Sequence, residues 1–196
     1  MKRLLVATTN RGKLGEIEAI LSGVAIELVA LADLPHIDEP EETGATFAEN
    51  ARLKALYYAA ASGLNTVADD SGLEIEALDG APGVHSARWH GTDYDVKFGK
   101  IRELLRAAGH ETSRARFVCH AAIASEGRIV FETEHTVEGR IADAPAGDHG
   151  FGYDPIFLYP PLGVTLAQIG REEKARISHR GKAFHAVRRF LDQSMA

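Results

Sequence analysis

Thr66-Val67-Ala68-Asp69-Asp70-Ser71-Gly72-Leu73-Glu74-Ile75 places two adjacent carboxylates directly after an apolar run. Thr66 to Ala68 reads as a buried strand. Leu73, Ile75 and Ala77 then alternate with Glu74 and Glu76, as a half-exposed strand does. Gly72 permits a tight turn between the two, so Asp69-Asp70-Ser71-Gly72 reads as an acidic turn at a sheet edge. Neighbouring carboxylates at the end of a buried strand are costly unless a cation or hydrogen bonds hold them. A hard cation such as Mg²⁺ takes one or two carboxylates and completes its shell with water and phosphate oxygens. A second carboxylate can accept a proton from attacking water. Asp, Ser and Gly are equally at home in an ordinary hairpin turn, so the stretch alone leaves both readings open.

Upstream, Leu4 to Ala7 forms a short buried strand that leads into the polar turn Thr8-Thr9-Asn10-Arg11-Gly12-Lys13. Leu14, Ile17, Ile20 and Leu21 recur at helical spacing, with Asn10 as N-cap and Gly23 as stop. Ile26 to Val29 reads as a second strand, and the acidic stretch 33–45 as a loop. Thr46 and Glu49 have capping-box spacing and open a helix that ends near Gly63. Downstream, residues 79–92 read as an ordered loop, and Val96 to Ala108 as a helix stopped at Gly109. Residues 114–124 and 128–138 form a long hairpin. After the loop-rich segment 139–155, Ile156 to Tyr159 is strand-like. Ala183, Phe184, Val187, Phe190 and Leu191 mark one face of a C-terminal helix. The order predicts one α/β domain over residues 1–196, a mixed sheet with helices on its faces.

At 196 residues, 45% hydrophobic and 26% charged, the chain has the make-up of an ordinary globular protein. No stretch approaches the roughly 20 apolar residues of a membrane span. The apolar run after Met1-Lys2-Arg3 is too short for a secretory signal of about 7–15 residues, which points to the cytoplasm. The net charge of −6 argues against a protein that coats polynucleotide phosphates. Cys119, the only cysteine, excludes an internal disulfide and reads as a core thiol within a strand. The nine histidines show no zinc-ligand spacing.

Charge is distributed unevenly along the chain. Residues 33–49 carry six acids and no Lys or Arg, whereas residues 171–189 carry seven bases against Glu172 and Glu173. Together they suit a cation in one wall and an anion receptor in the other. The turn Thr8 to Lys13 joins a strand to a helix start, whose N–H groups attract anions, and Lys13 adds a positive charge. It is neither a Walker loop nor a dinucleotide turn, and an ordinary capped turn would read the same. Glu41-Glu42-Thr43-Gly44 offers a further carboxylate, or a solvated loop. Lys54 on its helix reads as a surface group unless those acids lie nearby. Phe151 and Tyr153, set among Gly150, Gly152 and Asp154, suit stacking on a base, or a rigid packing loop. Lys174 offers a point charge for phosphate, while His179 and Arg180 offer donors to a base carbonyl.

With these residues gathered, the chain resembles the inosine triphosphate pyrophosphatase family, which removes non-standard purine nucleotides. The likeness covers nearly the whole length and rests on six segments in order: Leu5 to Lys13, Glu41 to Phe47, Ala68 to Leu73, Gly80 to Arg88, Gly150 to Phe157, and Ser178-His179-Arg180-Gly181. It implies that Thr8, Thr9, Asn10, Arg11, Gly12 and Lys13 bind the triphosphate. Glu42 and Asp70 would hold Mg²⁺, with Asp70 also the proton acceptor and Asp69 a supporting carboxylate. Ser71 would touch substrate, and Lys54 and Lys174 would neutralise phosphates. Phe151, Gly152, Tyr153 and Asp154, with His179 and Arg180, would surround the base. The family further implies two lobes with a central cleft, a long mixed sheet and a homodimer. Thr9 stands where the family often has Gly or Ser, and Trp89 where an aromatic is usual.

The activity implied is hydrolysis of ITP, dITP or XTP to the monophosphate and pyrophosphate. Donors from Arg180 and His179 would favour a 6-oxo purine over adenine by about 1–3 kcal/mol per mismatched group. Two rival readings are a Maf-like pyrophosphatase acting on other nucleotides and a nucleotide-binding module without catalysis. The Ser178-His179-Arg180 and Phe151 to Asp154 motifs count against the first. Asp69, Asp70 and Glu42 count against the second.

Overall fold

The computed structural model describes residues 2–194; Met1, from the charged lead-in, lies outside them. Strand β1 (Arg3–Val6) leads to α1 (Arg11–Leu21), β2 (Glu27–Ala30), α2 (Phe47–Ser62) and β3 (Asn65–Ile75). Helix α3 (Tyr94–Ala107) precedes the hairpin β4 (Arg114–Ser125) and β5 (Arg128–Ile141). The short strands β6 (Phe157–Tyr159) and β7 (Val164–Thr165) follow, then α4 (Arg171–Ile177) and α5 (His179–Gln193). The strands form one seven-stranded sheet in the order β2-β1-β3-β4-β5-β6-β7. It is mixed: β1 runs parallel to β2 and β3, while β5–β6 and β6–β7 are antiparallel. The expected α/β class with a mixed sheet is therefore the observed one. Among the described residues no helix is long and apolar enough to cross a membrane.

The chain divides into two compact units. Among the described residues the first comprises 2–70, Cys119–His135 and 179–194; the second comprises Ser71–Val118 and Thr136–Ser178. Each has its own core. In the first, Ala51, Ala55 and Tyr58 of α2 pack with Leu5, Val29, Ala68, Ala122 and Ala124 of the strands. The small side chains let the helix backbone approach the sheet closely. In the second, Phe98, Ile101 and Leu105 of α3 pack with Leu73, Ile75, Phe117, Val137 and Phe157.

Local signals in the sequence account for most element ends. Asn10 Oδ1 accepts the N–H groups of Gly12 and Lys13 at the start of α1. At the other end of α1, Arg188 Nη1 donates to the carbonyls of Ile20 (2.7 Å) and Ser22 (2.9 Å), which the helix leaves without intrahelical partners. Thr46 and Glu49 form the capping box of α2, and Gly63 ends that helix in the left-handed conformation.

One expectation fails. Asp69-Asp70-Ser71-Gly72 is not a turn but the middle of β3, an eleven-residue strand that continues to Ile75. Gly72 is not among the residues with positive φ. The sequence of acids, Ser and Gly suggests a turn because free carboxylates avoid strand interiors. Here neighbouring cations neutralise them, and the ladder continues.

Thr46→Ala removes the α2 cap and is expected to cost about 1 kcal/mol. In a chain of this size that lowers Tm by roughly 2–4 °C, measurable by thermal denaturation.

Candidate active site

In the first unit, β3 delivers Asp69 and Asp70, both buried, to a set of cationic side chains. Lys13 Nζ of α1 donates to Asp69 Oδ2 at 3.0 Å. Arg180, the second residue of α5, places Nε 3.5 Å from the same oxygen and donates from Nη1 to Glu16 Oε2 at 2.8 Å. Cys119 Sγ on β4 lies 3.8 Å from Asp69 Oδ2. Asp69 Oδ1 is buried and accepts no hydrogen bond from the described residues. One residue on, Asp70 Oδ1 accepts Lys54 Nζ at 3.0 Å, and the same ammonium donates to Glu42 Oε1 at 2.6 Å. The acidic loop and β3 thus meet on one lysine of α2.

Alternation along β3 sends Asp69 and Asp70 to different partners, and their proton affinities diverge. Burial pushes the Asp70 carboxyl above its usual range; Lys54 and Lys13 oppose this, while Glu42 adds to it. Burial pushes Asp69 the same way, but Lys13, Arg180 and Lys54 outweigh it and hold Asp69 well below the ordinary carboxylate range. Burial lowers Lys54, yet Asp70, Asp69 and Glu42 raise it above a free lysine. Pairs driven apart in this way are a common basis for dividing roles between two acids.

Through these contacts four carboxylates (Glu16, Glu42, Asp69, Asp70) meet three cations (Lys13, Lys54, Arg180). Glu42 and Asp70 supply hard oxygen donors that already converge on one positive centre, so the donor set fits a hard divalent cation. Among the described residues no group of three or more His, Cys, Asp or Glu side chains gathers as a metal cage. A cation bound through one or two carboxylates needs none.

The phosphate-turn candidates surround this centre only in part. Lys13 reaches it, and Gly12 is half-buried in the first turn of α1. The Asn10 side chain caps its own helix, and Thr8 Oγ1 accepts the Asn10 N–H at 3.2 Å. Thr9 and Arg11 are exposed. No acid occupies the first turn of α1, so its N-terminal field is unopposed from within the helix.

The second unit holds the remaining candidates. Asp154 Oδ2 accepts the N–H of Phe151 at 2.8 Å and Lys174 Nζ at 2.5 Å. Lys174 Nζ also stands 5.0 Å from the centroid of the Phe151 ring. Gly150, at φ 73°, tightens this loop, and a Cβ there would strike the Asp154 carboxylate. Ser71 is half-buried on β3.

Two of the base-site candidates are buried. Tyr153 is 4% exposed, its ring edge-on to Tyr94 within the core, so its faces are not open for stacking. Arg180 is likewise buried, with its guanidinium directed to Glu16 and Asp69. A guanidinium taken out of water needs carboxylates, and here it finds two. His179, beside it, is buried at the start of α5. Within the basic stretch 171–189, Lys174 meets Asp154, Arg180 meets Glu16 and Asp69, and Arg188 meets the C-terminal carbonyls of α1.

Asn50 was not singled out from the sequence. Its Nδ2 donates to Asp70 Oδ2 at 3.2 Å and its Oδ1 accepts the Gly44 N–H at 2.8 Å, tying the Glu42 loop to Asp70. A Cβ on Gly44 would lie 2.6 Å from that amide oxygen, so the loop approaches closely because residue 44 has no side chain. Asn50 shares the buried face of α2 with Phe47, Ala51, Ala55 and Tyr58. A lone amide in an apolar stripe was the available signal. Glu16 carried no such signal, since its partner is 164 residues away.

Fold and site together define a mixed-sheet α/β protein with a carboxylate, lysine and arginine centre on its third strand. The model of the Ham1 family matches residues 4–190. A dITP/XTP pyrophosphatase of Gloeobacter violaceus is 48% identical over 192 residues, spanning 97% of this chain and 93% of that one. Another, from an Exiguobacterium species, is 45% identical over 185 residues and spans 94% of each chain. A solved HAM1 protein from Coxiella burnetii has a TM-score of 0.88 at 38% identity, covering 98% of this chain and 100% of that one. The chain belongs to the Ham1 family, in agreement with the resemblance seen in the sequence.

Asp69→Asn leaves Lys13 and Arg180 short of a counter-charge and is expected to lower stability at pH 7 by about 3 kcal/mol. Asp69 has a folded pKa below its unfolded value, so its contribution is complete above about pH 4 and is lost as pH falls through the acid range. Urea denaturation in metal-free buffer should show the gap between Asp69→Asn and wild type closing below pH 4.

Proposed function

We propose that this protein hydrolyses non-standard purine nucleoside triphosphates, ITP, dITP and XTP, to the monophosphate and pyrophosphate, and so clears them from the nucleotide pool. Asp70 carries the reading: a buried carboxylate whose proton affinity is raised, one residue from an acid held ionised, on a strand beside an anion-attracting helix start. Membership of a family whose relatives include dITP/XTP pyrophosphatases supports the substrate class. Glu42 and Asp70 would hold Mg²⁺, which would supply positive charge against the growing charge of the leaving pyrophosphate.

The remaining chemistry belongs to the chain. Asp70 orients a water and accepts its proton as the water oxygen bonds to the α-phosphorus. The bond from that phosphorus to the bridging oxygen breaks, and pyrophosphate leaves with its electron pair. Asp70 suits this role by its placement, buried on β3 with Lys54 and Asn50 fixing its two oxygens. Lys13, Lys54 and Lys174 neutralise phosphate charge, and the turn Thr8 to Lys13 receives the triphosphate through the N-terminal field of α1. Ser71 contacts substrate. Phe151 is the aromatic left for stacking on the base, with Gly152 and Asp154 shaping its loop, and His179 is the donor proposed for the 6-oxo group. Arg180 serves the chemistry through Asp69, which it helps keep ionised. Asp69 in turn orders Lys13. The homodimer and the cytoplasmic setting implied by the family likeness belong to the same proposal, and the net charge of −6 supports a small-molecule rather than a polynucleotide partner.

Pyrophosphate release from ITP, XTP, dITP, GTP and ATP, with and without Mg²⁺, tests this directly. The three non-standard nucleotides should turn over at least 100-fold faster than ATP, and only with the metal. Asp70→Asn should lower kcat by about 10²–10⁴. Equal rates on ATP and ITP would sink the selectivity, and an active Asp70→Asn protein would sink the assigned base. ITP that raises Tm without being hydrolysed would leave a binding module.

A further inference from the structure

The segment Gly80 to Arg88 recurs in the family likeness without a role, and a buried lysine explains its shape. Lys97, on the first turn of α3, is 0% exposed. Its Nζ donates to the carbonyls of two consecutive residues, Ser86 at 3.1 Å and Ala87 at 2.7 Å. The remaining face of the ammonium lies 4.3 Å from the Tyr94 ring centroid and 5.6 Å from that of Tyr153. Among the described residues it has no carboxylate partner. A desolvated ammonium is costly to keep, and burial lowers its pKa accordingly. Its burial needs a reason beyond filling space.

The backbone it holds supplies one. Residues Gly83–His85 form a short 3₁₀ turn, and Ser86 and Ala87 follow at its end, where carbonyls lack helical partners. A cation placed there satisfies two of them at once. The Ser86 carbonyl is shared, because Tyr153 Oη donates to it as well, at 2.9 Å. Ser86 Oγ accepts the Leu73 N–H at 2.9 Å and donates to the Gly83 carbonyl at 2.6 Å, so the same residue is tied to β3 two positions beyond Ser71. Tyr153 lies between Phe151 and Asp154, and Asp154 fixes the Phe151 N–H. The loop is thus pinned at Asp154 by Lys174 and at Tyr153 by the Ser86 carbonyl.

We propose that Lys97 is a positioning residue for base selection: it fixes the Ser86–Ala87 turn from which Tyr153 hangs, and so holds Phe151 in place. This rests on the reading of Phe151 as the base-stacking ring. Lys97→Met keeps most of the volume and removes both N–H···O bonds. It should raise the KM for ITP about tenfold, leave kcat within threefold, and reduce the ITP-to-ATP ratio of kcat/KM about tenfold. Tyr153→Phe removes only the hydroxyl and should move the same two quantities in the same direction. The double variant should show less than the product of the single effects, since both donors serve one carbonyl. A residue that merely stabilises the fold would lower the active fraction, reducing apparent kcat with KM and the ratio unchanged; that pattern overturns the proposal. If Lys97→Met does not fold, Tyr153→Phe decides alone, and wild-type values overturn it. Phe151→Ala separates the two levels. An unchanged ratio there overturns the reading of the loop and this inference with it. A changed ratio there, beside wild-type values in Lys97→Met, overturns the role of Lys97 only.

Discussion

Two carboxylates side by side in a buried strand are the constraint around which the first unit is organised. Strand geometry sends Asp69 and Asp70 to opposite faces, so no single cation serves both equally. Lys13 and Arg180 neutralise Asp69, and Lys54 meets Asp70 together with Glu42. Those cations come from α1, α5 and α2, which means that three helices must seat correctly for one strand to be tolerated. Burying a charge costs several kcal/mol and is recovered only where partners are close and well aligned. The core of small residues beneath α2 meets that need by letting Lys54 and Asn50 approach β3.

The proposed division of chemical roles rests on the unequal treatment of the two acids. Asp69 is surrounded by positive charge and stays ionised, while burial leaves Asp70 with a raised proton affinity. An acid that stays charged can order cations, and one poised nearer to neutrality can accept a proton. The same economy recurs in the second unit, where Lys174 and Lys97 each hold backbone or carboxylate groups of one loop.

Much of this was legible from the sequence where the controlling physics is local. The Asn10 cap, the Thr46–Glu49 capping box, the Gly63 stop and the β4–β5 hairpin all depend on residues within a few positions of one another. Lys13, Lys54, Glu42, Asp69 and Asp70 were picked out by residue type and do converge. What local rules missed was set by distant partners. Asp69 to Gly72 reads as a turn until cations from three helices are known to neutralise it. Arg180 reads as a free donor until Glu16 and Asp69 are found beside it. Tyr153 and Phe151 look alike in the sequence, but Tyr153 packs against Tyr94 and Phe98 and donates to the Ser86 carbonyl, whereas Phe151 stays half-buried. Lys97 sits in an otherwise ordinary helix start, with nothing to distinguish it from a surface lysine.

The divided behaviour of the two aspartates is open to direct measurement by carbon-detected NMR titration of the side-chain carboxyls in metal-free protein. Asp70 should take up its proton above the ordinary aspartate value of about 3.9, while Asp69 remains ionised well below it. Both carboxyls titrating together near that ordinary value would contradict the proposed separation of their roles.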